Sequence, residues 1–543
     1  MVGRSSLLVS MALMAGLLGC SSANASASTA DSQALDAAMS AEPKTLAPRA
    51  TITVQAADAG KPLDPRLFGT NVPAWVNPQQ LGDDRVRRIT AAIGKPFLRL
   101  PGGSWANHYD WLKCENGDPD GCHWTWASKP TDFLNFVKAT NGSAMWTVSF
   151  NGTSKEAAAL VAFFNGSVND TTLIGVDVRG RNWKRVQDWA KLRASHGNRD
   201  PMRIELWEVG NEIYGAKPGF GGSNCASWGW EEVWTCDGNE YMLGKGRGEA
   251  RREGYLEFRK AMRAVDSTIK VGAVGVDKPG EWWDWGNKVF EKGGADLDFY
   301  VIHAYGFNKQ PANAAAILDK PQQLWKDIFA TTHAAMDRLG ARRRIPIAVT
   351  EYNMAAFQDL DNGQLMTRAV NALFIADMIG QLAVNGATIA NQWNLANGRA
   401  GNGTDYGLID AAKALRNPQY YAIRLWNSVG NTLLPVTSPL SDATTLSTYA
   451  ARAADGTISV LAINKTGEPI DVSIALAGLT KPVKVSADVL EAETLETTDI
   501  LFNERLSPQP DFSNAPAKAL GQATGSFDYS FAKYSITVLR FKP

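Results

Sequence analysis

The chain has 543 residues, and its 55 lysines and arginines balance 55 aspartates and glutamates, so its formal net charge is zero. A neutral chain offers no electrostatic field for nucleic acid or an anionic membrane, and we expect neither as a partner. Its five histidines form no His-x-His or His-Glu-x-x-His motif. We therefore predict that the protein works without a metal ion or another cofactor.

The N-terminus has the pattern of an export signal. The apolar run Leu7–Leu18 has the length of a signal-peptide core and is too short to span a bilayer. It leads to Cys20 in a setting that resembles a bacterial lipoprotein box, so residues 1–20 are predicted to be a signal peptide and Cys20 the lipidated N-terminus. Conventional cleavage after Ala25 is the alternative. Residues 21–48, rich in Ser and Ala, are expected to form a flexible tether.

The four remaining cysteines agree with an oxidising compartment. Cys114 and Cys122 are close in the sequence, and so are Cys225 and Cys236. Two short-range disulfides are the expected arrangement, because these spacings do not match the usual pattern of zinc ligands. The protein is predicted to be exported, and to be lipid-anchored to the outer membrane or cell surface, or otherwise periplasmic or extracellular. Membrane contact is expected only through that lipid anchor.

Short apolar runs alternate with helical patterns over residues 59–431. Helices are predicted where apolar residues recur at intervals of three and four, over Ser154–Asn165, Tyr255–Val265, Pro321–Leu339 and Leu365–Asn385. Eight strands with intervening helices favour an α/β fold of the (β/α)8 TIM-barrel type over an open doubly wound sheet. The predicted strands are Leu67–Val72, Phe97–Pro101, Ala144–Phe150, Ile204–Val209, Ile269–Val274, Phe299–His303, Ile347–Glu351 and Ile389–Trp393.

From about residue 432 the pattern changes to short, alternating segments rich in Val, Ile, Thr and Leu. Such segments, separated by turn residues, predict a C-terminal antiparallel β-sandwich over residues 432–543. The stretch 49–58 alternates similarly, and we expect it to pair with this module. The predicted sandwich strands are Thr444–Tyr449, Thr457–Asn464, Ile470–Leu476, Val483–Leu490 and Tyr534–Phe541.

Many of the 18 tryptophans lie in polar segments that contain glycine. Flat aromatic rings can stack on the C–H faces of sugars, so contact with carbohydrate is the favoured interpretation of these clusters. Packing of the loops against each other is the alternative. The first cluster is Trp105, Trp111, Trp124 and Trp126; the second is Trp228, Trp230 and Trp234; the third is Trp282, Trp283 and Trp285.

Two glutamates follow or end predicted strands at the side of a barrel where chemistry takes place. Glu212 follows the fourth strand and Glu351 ends the seventh. Cleavage of a glycosidic bond needs one carboxyl group that donates a proton and a second, ionised one that attacks the sugar. This pairing predicts Glu212 as general acid/base and Glu351 as nucleophile. Arg99, on the second strand, is the candidate that keeps the pKa of the nucleophile low; a structural ion pair is the alternative.

Several segments resemble glycoside hydrolase family 51, the α-L-arabinofuranosidases, which belong to a clan of retaining (β/α)8 enzymes. The segments are Arg99-Leu100-Pro101-Gly102-Gly103, Thr153–Ala158, Gly210-Asn211-Glu212 and Lys260–Asp266. The resemblance covers roughly residues 60–430 and the sandwich. It implies a retaining hydrolase of plant-type polysaccharide that works through a glycosyl-enzyme intermediate.

The resemblance also implies roles for single residues. Asn211 would bind the sugar 2-hydroxyl, and His303 and Tyr305 would line the reactive subsite. Four more residues at strand ends complete the predicted substrate-binding set: Asn71, Arg99, Trp105 and Trp393.

The sequence departs from the family pattern in two places. Asn71 is the nearest polar residue to the position where the first strand usually carries a carboxylate, and a long insertion follows Glu212. Both departures favour an endo-acting β-glycanase, of the endoglucanase or xylanase type, or another exo-glycosidase, as the alternative function. A non-catalytic carbohydrate-binding lipoprotein is the second alternative, although it does not explain the two glutamates. In each case the expected partner is an oligo- or polysaccharide.

Overall fold

The computed structural model of the protein describes residues 49–118, 124, 126–339 and 344–543. The predicted signal and tether, with Cys20, lie outside these residues, and so does Cys122. Ala50–Pro543 form one compact unit. Among the helices that the structure describes, none has the length and apolar character needed to cross a membrane.

Eight parallel strands close into a barrel, which confirms the predicted fold class. The first two strands of the chain, β1 (Ala50–Gln55) and β2 (Lys61–Pro62), lie outside this barrel. The circle closes because the last barrel strand pairs with the first. The barrel strands are β3 (Gly69–Pro73), β4 (Phe97–Gly102), β5 (Ser143–Val148), β6 (Leu206–Val209), β7 (Lys270–Val274), β8 (Phe299–His303), β9 (Ile347–Tyr352) and β10 (Ile389–Gln392).

Helices connect successive barrel strands, and two of them begin and end where the periodicity predicts. These two are Ser154–Asn165 and Tyr255–Val265. The Thr153 hydroxyl accepts a hydrogen bond from the Glu156 amide and so caps the first of them. The α-helices are α1 (Pro78–Gly82), α2 (Asp84–Ala91), α3 (Trp111–Glu115), α4 (Pro130–Ala139), α5 (Ser154–Asn165), α6 (Val186–Ser195), α7 (Pro218–Gly221), α8 (Gly238–Leu243), α9 (Tyr255–Val265), α10 (Glu281–Gly293), α11 (Ala315–Leu318), α12 (Lys320–Arg338), α13 (Ala369–Asn385) and α14 (Pro418–Trp426).

One predicted helix, Leu365–Asn385, is interrupted. Leu365–Thr367 forms a separate 3-10 turn, and Arg368 is extended (φ −109°, ψ 167°) before α13 begins. The Asp361 carboxylate accepts hydrogen bonds from the Leu365 amide at 2.8 Å and from the next amide at 2.9 Å, which holds this turn apart from the helix. Hydrophobic periodicity does not reveal such a side-chain contact.

The C-terminal region contains the antiparallel strands that the alternating pattern predicts. Its strands, with a short hairpin of β11 (Ile409–Asp410) and β12 (Leu415–Arg416) before them, are β13 (Thr432–Leu434), β14 (Val436–Thr437), β15 (Leu446–Arg452), β16 (Ile458–Asn464), β17 (Ile470–Ala477), β18 (Val483–Ala492), β19 (Ile500–Phe502), β20 (Lys518–Ala523), β21 (Ser526–Phe531) and β22 (Ser535–Lys542). One sheet has the order β14–β1–β17–β21, and the other has the order β19–β18–β22–β16–β15–β13–β2, with β20 beside β18. The β1–β17 pairing is parallel, so the expectation of a purely antiparallel module is wrong at this one place.

A buried ion pair joins the sandwich to the barrel. Lys465 Nζ, after β16, lies 2.7 Å from Asp377 Oδ2 on α13, and both side chains are fully buried. The Tyr449 hydroxyl of β15 donates to the other oxygen of the same carboxylate. Since a buried charge left without its partner is strongly destabilising, this contact fixes the sandwich against α13.

The barrel interior has an apolar end and a polar end. Near the amino ends of the strands it is filled by Phe97, Met145, Leu206, Phe299, Val301, Ala348 and Ile389. Toward the carboxyl ends the buried side chains become polar or charged: Asn71, Arg99, Glu208, Asn211, Thr350 and Glu351. Burial of charged groups is costly unless they are paired, so this concentration marks the candidate site.

Candidate active site

Glu351 lies in β9 at the polar end of the barrel, and two donors hold its carboxylate. The Arg99 guanidinium donates through Nη1 to Oε1 at 2.8 Å, and the Tyr305 hydroxyl donates to Oε2 at 2.8 Å. A fixed cation and a hydroxyl at these distances both stabilise the ionised carboxylate. Arg99 belongs to β4 and Tyr305 follows β8, so the barrel orients this side chain from two directions.

Arg99 is the centre of this arrangement and is completely buried. Its Nε donates to Glu208 at 2.6 Å, its Nη1 to Asn71 at 2.9 Å and its Nη2 to Asn211 at 2.9 Å. With the bond to Glu351 and a second contact to Glu208, all five of its N–H donors are engaged. Arg99 therefore lies beneath the site with no N–H left for a sugar in this arrangement, and its predicted contact with the substrate stays a prediction.

Asn71 also lies beneath the site. Its Nδ2 donates to the backbone carbonyls of Thr350 at 2.9 Å and Gln392 at 3.1 Å, and its Oδ1 accepts the bond from Arg99. Both ends of this fully buried amide are used inside the barrel. In this arrangement Asn71 positions Arg99, and its predicted contact with the sugar stays a prediction.

Glu212 lies in the tight turn after β6 that begins at Gly210. Gly210 has φ +85°, and a Cβ there would come within 2.6 Å of the Ile213 side chain, so the turn requires glycine. Glu212 itself is left-handed (φ 43°, ψ 39°), a costly conformation that concentrates at functional sites. The Trp230 indole N–H donates to Glu212 Oε2 at 2.6 Å, and the Tyr214 hydroxyl donates to Oε1 at 3.2 Å.

His303, the last residue of β8, lies between the two glutamates. Its Nδ1 is 3.0 Å from Glu212 Oε1 and 3.7 Å from Glu351 Oε2. One oxygen of each glutamate and a ring nitrogen of His303 all lie within 4.8 Å of one another. Two carboxyl groups from strands far apart in the sequence therefore face the same small volume.

The protonation states of these three groups depend on each other. Burial acts to lower the pKa of His303, but the charges of Glu351 and Glu212 outweigh it and raise that pKa above 6.5. Burial acts to raise the pKa of Glu212, but the hydrogen bond and the charge of His303 bring it below its usual value. Burial raises the pKa of Glu351, against the charges of His303 and Arg99. The raised pKa of His303 and the lowered pKa of Glu212 favour a proton on the imidazole over one on the Glu212 carboxyl group, 3.0 Å away.

The Thr350 hydroxyl allows His303 to change its protonation. Thr350 Oγ1 lies 3.0 Å from His303 Nε2. Transfer of the Nδ1 proton to Glu212 leaves Nε2 with its hydrogen, so Nε2 can donate to this hydroxyl before and after the transfer. A proton can therefore pass between His303 Nδ1 and Glu212 without leaving a ring nitrogen unpaired.

Glu212, His303 and Glu351 also have the spacing of a metal site. A divalent cation bound here would lie beside the Arg99 guanidinium, whose Nη1 is 2.8 Å from Glu351 Oε1. Repulsion between the two cations in a buried site opposes metal binding. The Trp230 and Tyr305 hydrogen bonds further engage the carboxylate oxygens that a metal would need. The donor set fits an acid–base pair better than a metal centre.

Glu231 is a buried carboxyl group of the site that the sequence analysis missed. It accepts hydrogen bonds from the Ser104 hydroxyl at 2.6 Å, from Asn107 Nδ2 at 2.7 Å and from Asn211 Nδ2 at 3.0 Å. Burial and the charge of Glu212 raise the pKa of Glu231 to about 8. The residue comes from the insertion rather than from a strand end, so the search along strand ends could not find it.

The insertion after Glu212 is closed by a disulfide between Cys225 and Cys236. Between these cysteines lie Trp230, which contacts Glu212, and Glu231. The cysteine pair around a Trp-Glu step was the available sequence signal for this part of the site. The other predicted disulfide joins Cys114 to Cys122. Cys114 is disulfide-bonded in the structure, and Cys122 lies outside the described residues.

A groove with a volume of about 650 Å³ opens at the carboxyl end of the barrel, where Trp393 follows β10. Here the Trp393 ring lies against Gly103, where a Cβ would come within 2.4 Å of the ring, which explains the second glycine of the Gly102-Gly103 pair. Tyr406 also lines the groove, and burial followed by the charge of Glu351 raises the pKa of its hydroxyl. We call this groove, lined by Trp75, Trp105, Trp124, Trp126, Trp393 and Tyr406, the aromatic groove.

A second aromatic surface lies beside Glu212. Its members Trp228 and Trp283 are 66% and 50% exposed. A left-handed turn at the start of α10, with φ from 54° to 66° over residues 282–284, presents two of its rings, although each such residue costs roughly 1–2 kcal/mol. We call Trp228, Trp230, Trp282 and Trp283 the tryptophan patch. By contrast Trp111 and Trp285 are buried in the core, so for these two the sugar-contact interpretation is wrong.

Comparison with curated proteins finds arabinofuranosidases, whereas no model of a known protein family matches the sequence. The intracellular exo-α-(1→5)-L-arabinofuranosidase 1 of Bacillus subtilis is 24% identical over 286 residues, which are 50% of this chain and 48% of that protein. The chain therefore spans about half the length of that relative. The exo-α-(1→6)-L-arabinofuranosidase of Bifidobacterium longum is 22% identical over 476 residues, 78% of this chain and 81% of that protein.

Comparison with solved structures also finds arabinofuranosidases. A family 51 α-L-arabinofuranosidase from Bifidobacterium longum matches with a TM-score of 0.66 at 18% identity, over 91% of this chain and 100% of that chain. At this identity the likeness shows the shared fold, a (β/α)8 barrel with a β-sandwich. Together with the curated relatives it supports a glycoside hydrolase and confirms the resemblance found in the sequence. The chain is therefore similar in sequence to arabinofuranosidases and similar in fold to those of glycoside hydrolase family 51.

Proposed function

We propose that this protein is a retaining glycoside hydrolase that works by double displacement, with Glu351 as nucleophile and Glu212 as general acid/base. The observation that supports this most directly is that oxygens of the two carboxyl groups lie within 4.8 Å of each other. Retaining enzymes separate these groups by about 5–5.5 Å, whereas inverting enzymes need about 6.5–9.5 Å to admit a water. The shorter separation favours direct attack on the sugar.

In the first step a Glu351 oxygen forms a bond to the anomeric carbon as the bond to the leaving oxygen breaks. The leaving oxygen takes the proton of Glu212. Arg99 and Tyr305, each 2.8 Å from Glu351, orient the attacking carboxylate and act against the rise of its pKa that burial causes. Because these contacts fix the nucleophile before the substrate binds, less entropy is lost when the reacting groups are aligned.

The proton for this step comes from the pair formed by Glu212 and His303. In the free protein the pair is an imidazolium and a carboxylate 3.0 Å apart. A bound sugar excludes water, and an ion pair without water loses the hydration that favours it over the neutral pair. The proton then moves to Glu212, ready for the leaving oxygen.

In the second step Glu212, now ionised, takes a proton from water. The water oxygen bonds to the anomeric carbon, and the bond between this carbon and Glu351 breaks, returning the electron pair to the carboxylate. Two displacements at one carbon restore the original configuration. Asn211 supports both steps: one N–H is bound by Glu231 at 3.0 Å, and the second serves a sugar hydroxyl.

The proposed substrate is a plant-type polysaccharide, and the proposed activity is similar to that of an α-L-arabinofuranosidase. The named relatives are arabinofuranosidases, and that likeness supports the choice. An endo-acting β-glycanase is the second candidate, and the aromatic groove favours it. A groove of about 650 Å³ suits a ligand of several rings, whereas an exo-acting enzyme needs a pocket for one terminal sugar.

We also propose that the protein acts outside the cytoplasm. The apolar run before Cys20 and the disulfide between Cys225 and Cys236 support export. The named relative from Bacillus subtilis is described as intracellular, which is a property of that protein. The proposed location is the outer membrane or cell surface if Cys20 is lipidated, and the periplasm or medium otherwise.

The nucleophile is tested by product analysis on arabinoxylan, arabinan, xylan and β-glucan. Glu351→Ala is expected to lower turnover by several orders of magnitude, because the covalent step is lost. Added azide should restore turnover and give a glycosyl azide of configuration opposite to the substrate. In the native protein, free arabinose as the sole product would indicate exo action, and an oligosaccharide ladder would indicate endo action.

Glu212→Ala completes this experiment. It should spare substrates with good leaving groups far more than those with poor ones, because only the latter need a proton. Near-normal turnover of polysaccharide by either variant would refute the assignment of the two glutamates.

The pH dependence tests the shared proton. The active form needs one proton shared by Glu212 and His303. This proton is present at low pH and is lost as the pH rises through the pKa of His303, which is raised above 6.5. The basic limb of kcat/KM should therefore lie above 6.5 and should move to lower pH in His303→Gln. His333→Gln on α12 is the control. An unchanged basic limb in His303→Gln would show that Glu212 alone holds the proton.

Glu231→Gln tests the buried carboxyl group that the insertion supplies. Loss of one acceptor should loosen Asn211 and lower kcat by about 10- to 100-fold, with an unchanged melting temperature. Glu232→Gln is the matched control, because this neighbour bonds Lys217 at 2.6 Å instead. Equal activities of the two variants would show that Glu231 has no part in the site.

The lipid anchor is tested in cells grown with a labelled fatty acid. The native protein should carry the label and partition into the membrane fraction, and Cys20→Ala should do neither. An unlabelled native protein in the soluble exported fraction would support cleavage after Ala25 instead.

A further inference from the structure

The tryptophan patch is an exposed aromatic surface that neither displacement step uses. The rings of Trp228 and Trp282 have centroids 5.0 Å apart, and Trp228 lies 6.0 Å from Trp230 with an interplanar angle of 24°. Trp228 and Trp283 are 66% and 50% exposed. Contiguous exposed apolar surface of this kind marks an interaction site.

Two independent features of the backbone hold the patch in place. Trp282 and Trp283 lie in a left-handed turn with φ near 55°, a conformation that non-glycine residues rarely adopt. Trp228 and Trp230 lie in the loop that Cys225 and Cys236 close. Packing alone does not require rings to be exposed on a strained turn, so the arrangement indicates a function for these surfaces.

The patch is continuous with the proposed acid/base. The Trp230 indole N–H donates to Glu212 Oε2 at 2.6 Å. The Tyr214 hydroxyl donates to Oε1 at 3.2 Å, and the Tyr214 ring lies 4.9 Å from that of Trp282. The acid protonates the leaving oxygen, so the sugar attached to this oxygen must lie beside Glu212 and hence beside the patch.

We propose that the tryptophan patch binds the leaving-group side of the substrate, and that its ligand is a β-linked pyranose chain. The proposal rests on the proposed function, because the acid/base role of Glu212 defines which side the leaving group occupies. A β-linked pyranose chain is a flat ribbon whose rings expose axial C–H groups, and these suit the negative faces of aromatic rings. A furanose chain is puckered and offers smaller C–H faces.

A polar group accompanies the aromatic faces. The Tyr214 hydroxyl, which donates to Glu212 Oε1 at 3.2 Å, lies on the residue whose ring packs against Trp282. Sugar sites combine aromatic surface with a few groups that bond hydroxyls, and this hydroxyl oxygen can accept such a bond.

The turnover test compares two substrates that share the sugar on the nucleophile side. One is the polysaccharide that the native enzyme cleaves, and the other is the glycosyl fluoride of the same sugar, whose leaving group contains no ring. Trp228→Ala and Trp283→Ala should each lower kcat/KM on the polysaccharide by about ten-fold and on the fluoride by less than about two-fold. Phe220→Ala, an exposed aromatic of the same insertion, is the control.

The binding test does not depend on turnover. Glu351→Ala protein is titrated by calorimetry with xylohexaose, cellohexaose and α-(1→5)-arabinohexaose. A pyranose hexamer should bind, and adding Trp228→Ala should weaken this binding about ten-fold. Patch-dependent binding of the arabinan hexamer alone would overturn the pyranose assignment.

The results separate this inference from the proposed function. Patch-dependent binding of a pyranose hexamer by a protein whose native form cleaves no glycan would contradict the proposed function and leave the binding site standing. Normal cleavage of polysaccharide by both tryptophan variants, with unchanged binding of the hexamers, would overturn the site.

Discussion

The buried guanidinium of Arg99 is the interaction on which the site depends. A cation that is removed from water must be paired, and here Glu208 and Glu351 supply the charge while Asn71 and Asn211 supply neutral acceptors. The acceptors come from three segments at the carboxyl side of the barrel, namely β3, β6 with the turn after it, and β9, so one residue fixes the relative positions of these segments. The apolar layer below it keeps water away from the cation. The orientation of the proposed nucleophile follows from this pairing.

The proposed acid/base is held by weaker and more adjustable contacts. Glu212 receives neutral donors from Trp230 and Tyr214 and shares a proton with His303. A fixed cation would keep this carboxyl group ionised, whereas an imidazole can return the proton when water leaves the site. The left-handed backbone at Glu212 is costly, and the disulfide-closed insertion that packs over it offsets that cost.

The sequence was sufficient for the barrel and for the two glutamates, because strand alternation and strand ends are local patterns. The sequence did not show how deeply each strand-end side chain is buried. Asn71 and Arg99 also follow the strand-end pattern, but both are fully buried inside the barrel. Glu231 was not predicted because its insertion has no periodic pattern. Its position depends on hydrogen bonds to Ser104 and Asn107, which are distant in the sequence. The parallel pairing of β1 with β17 likewise depends on a distant segment. The roles of the site residues and the domain boundaries stay predictions.

The stereochemistry of the product tests the central claim, that two carboxyl groups within 4.8 Å perform double displacement. Proton NMR, recorded in the first minutes of cleavage before mutarotation, shows the anomeric configuration of the sugar that is released. The account predicts that the first product has the same configuration as the bond that was cleaved. An inverted first product would require a water between Glu351 and the sugar, and would contradict the proposed mechanism.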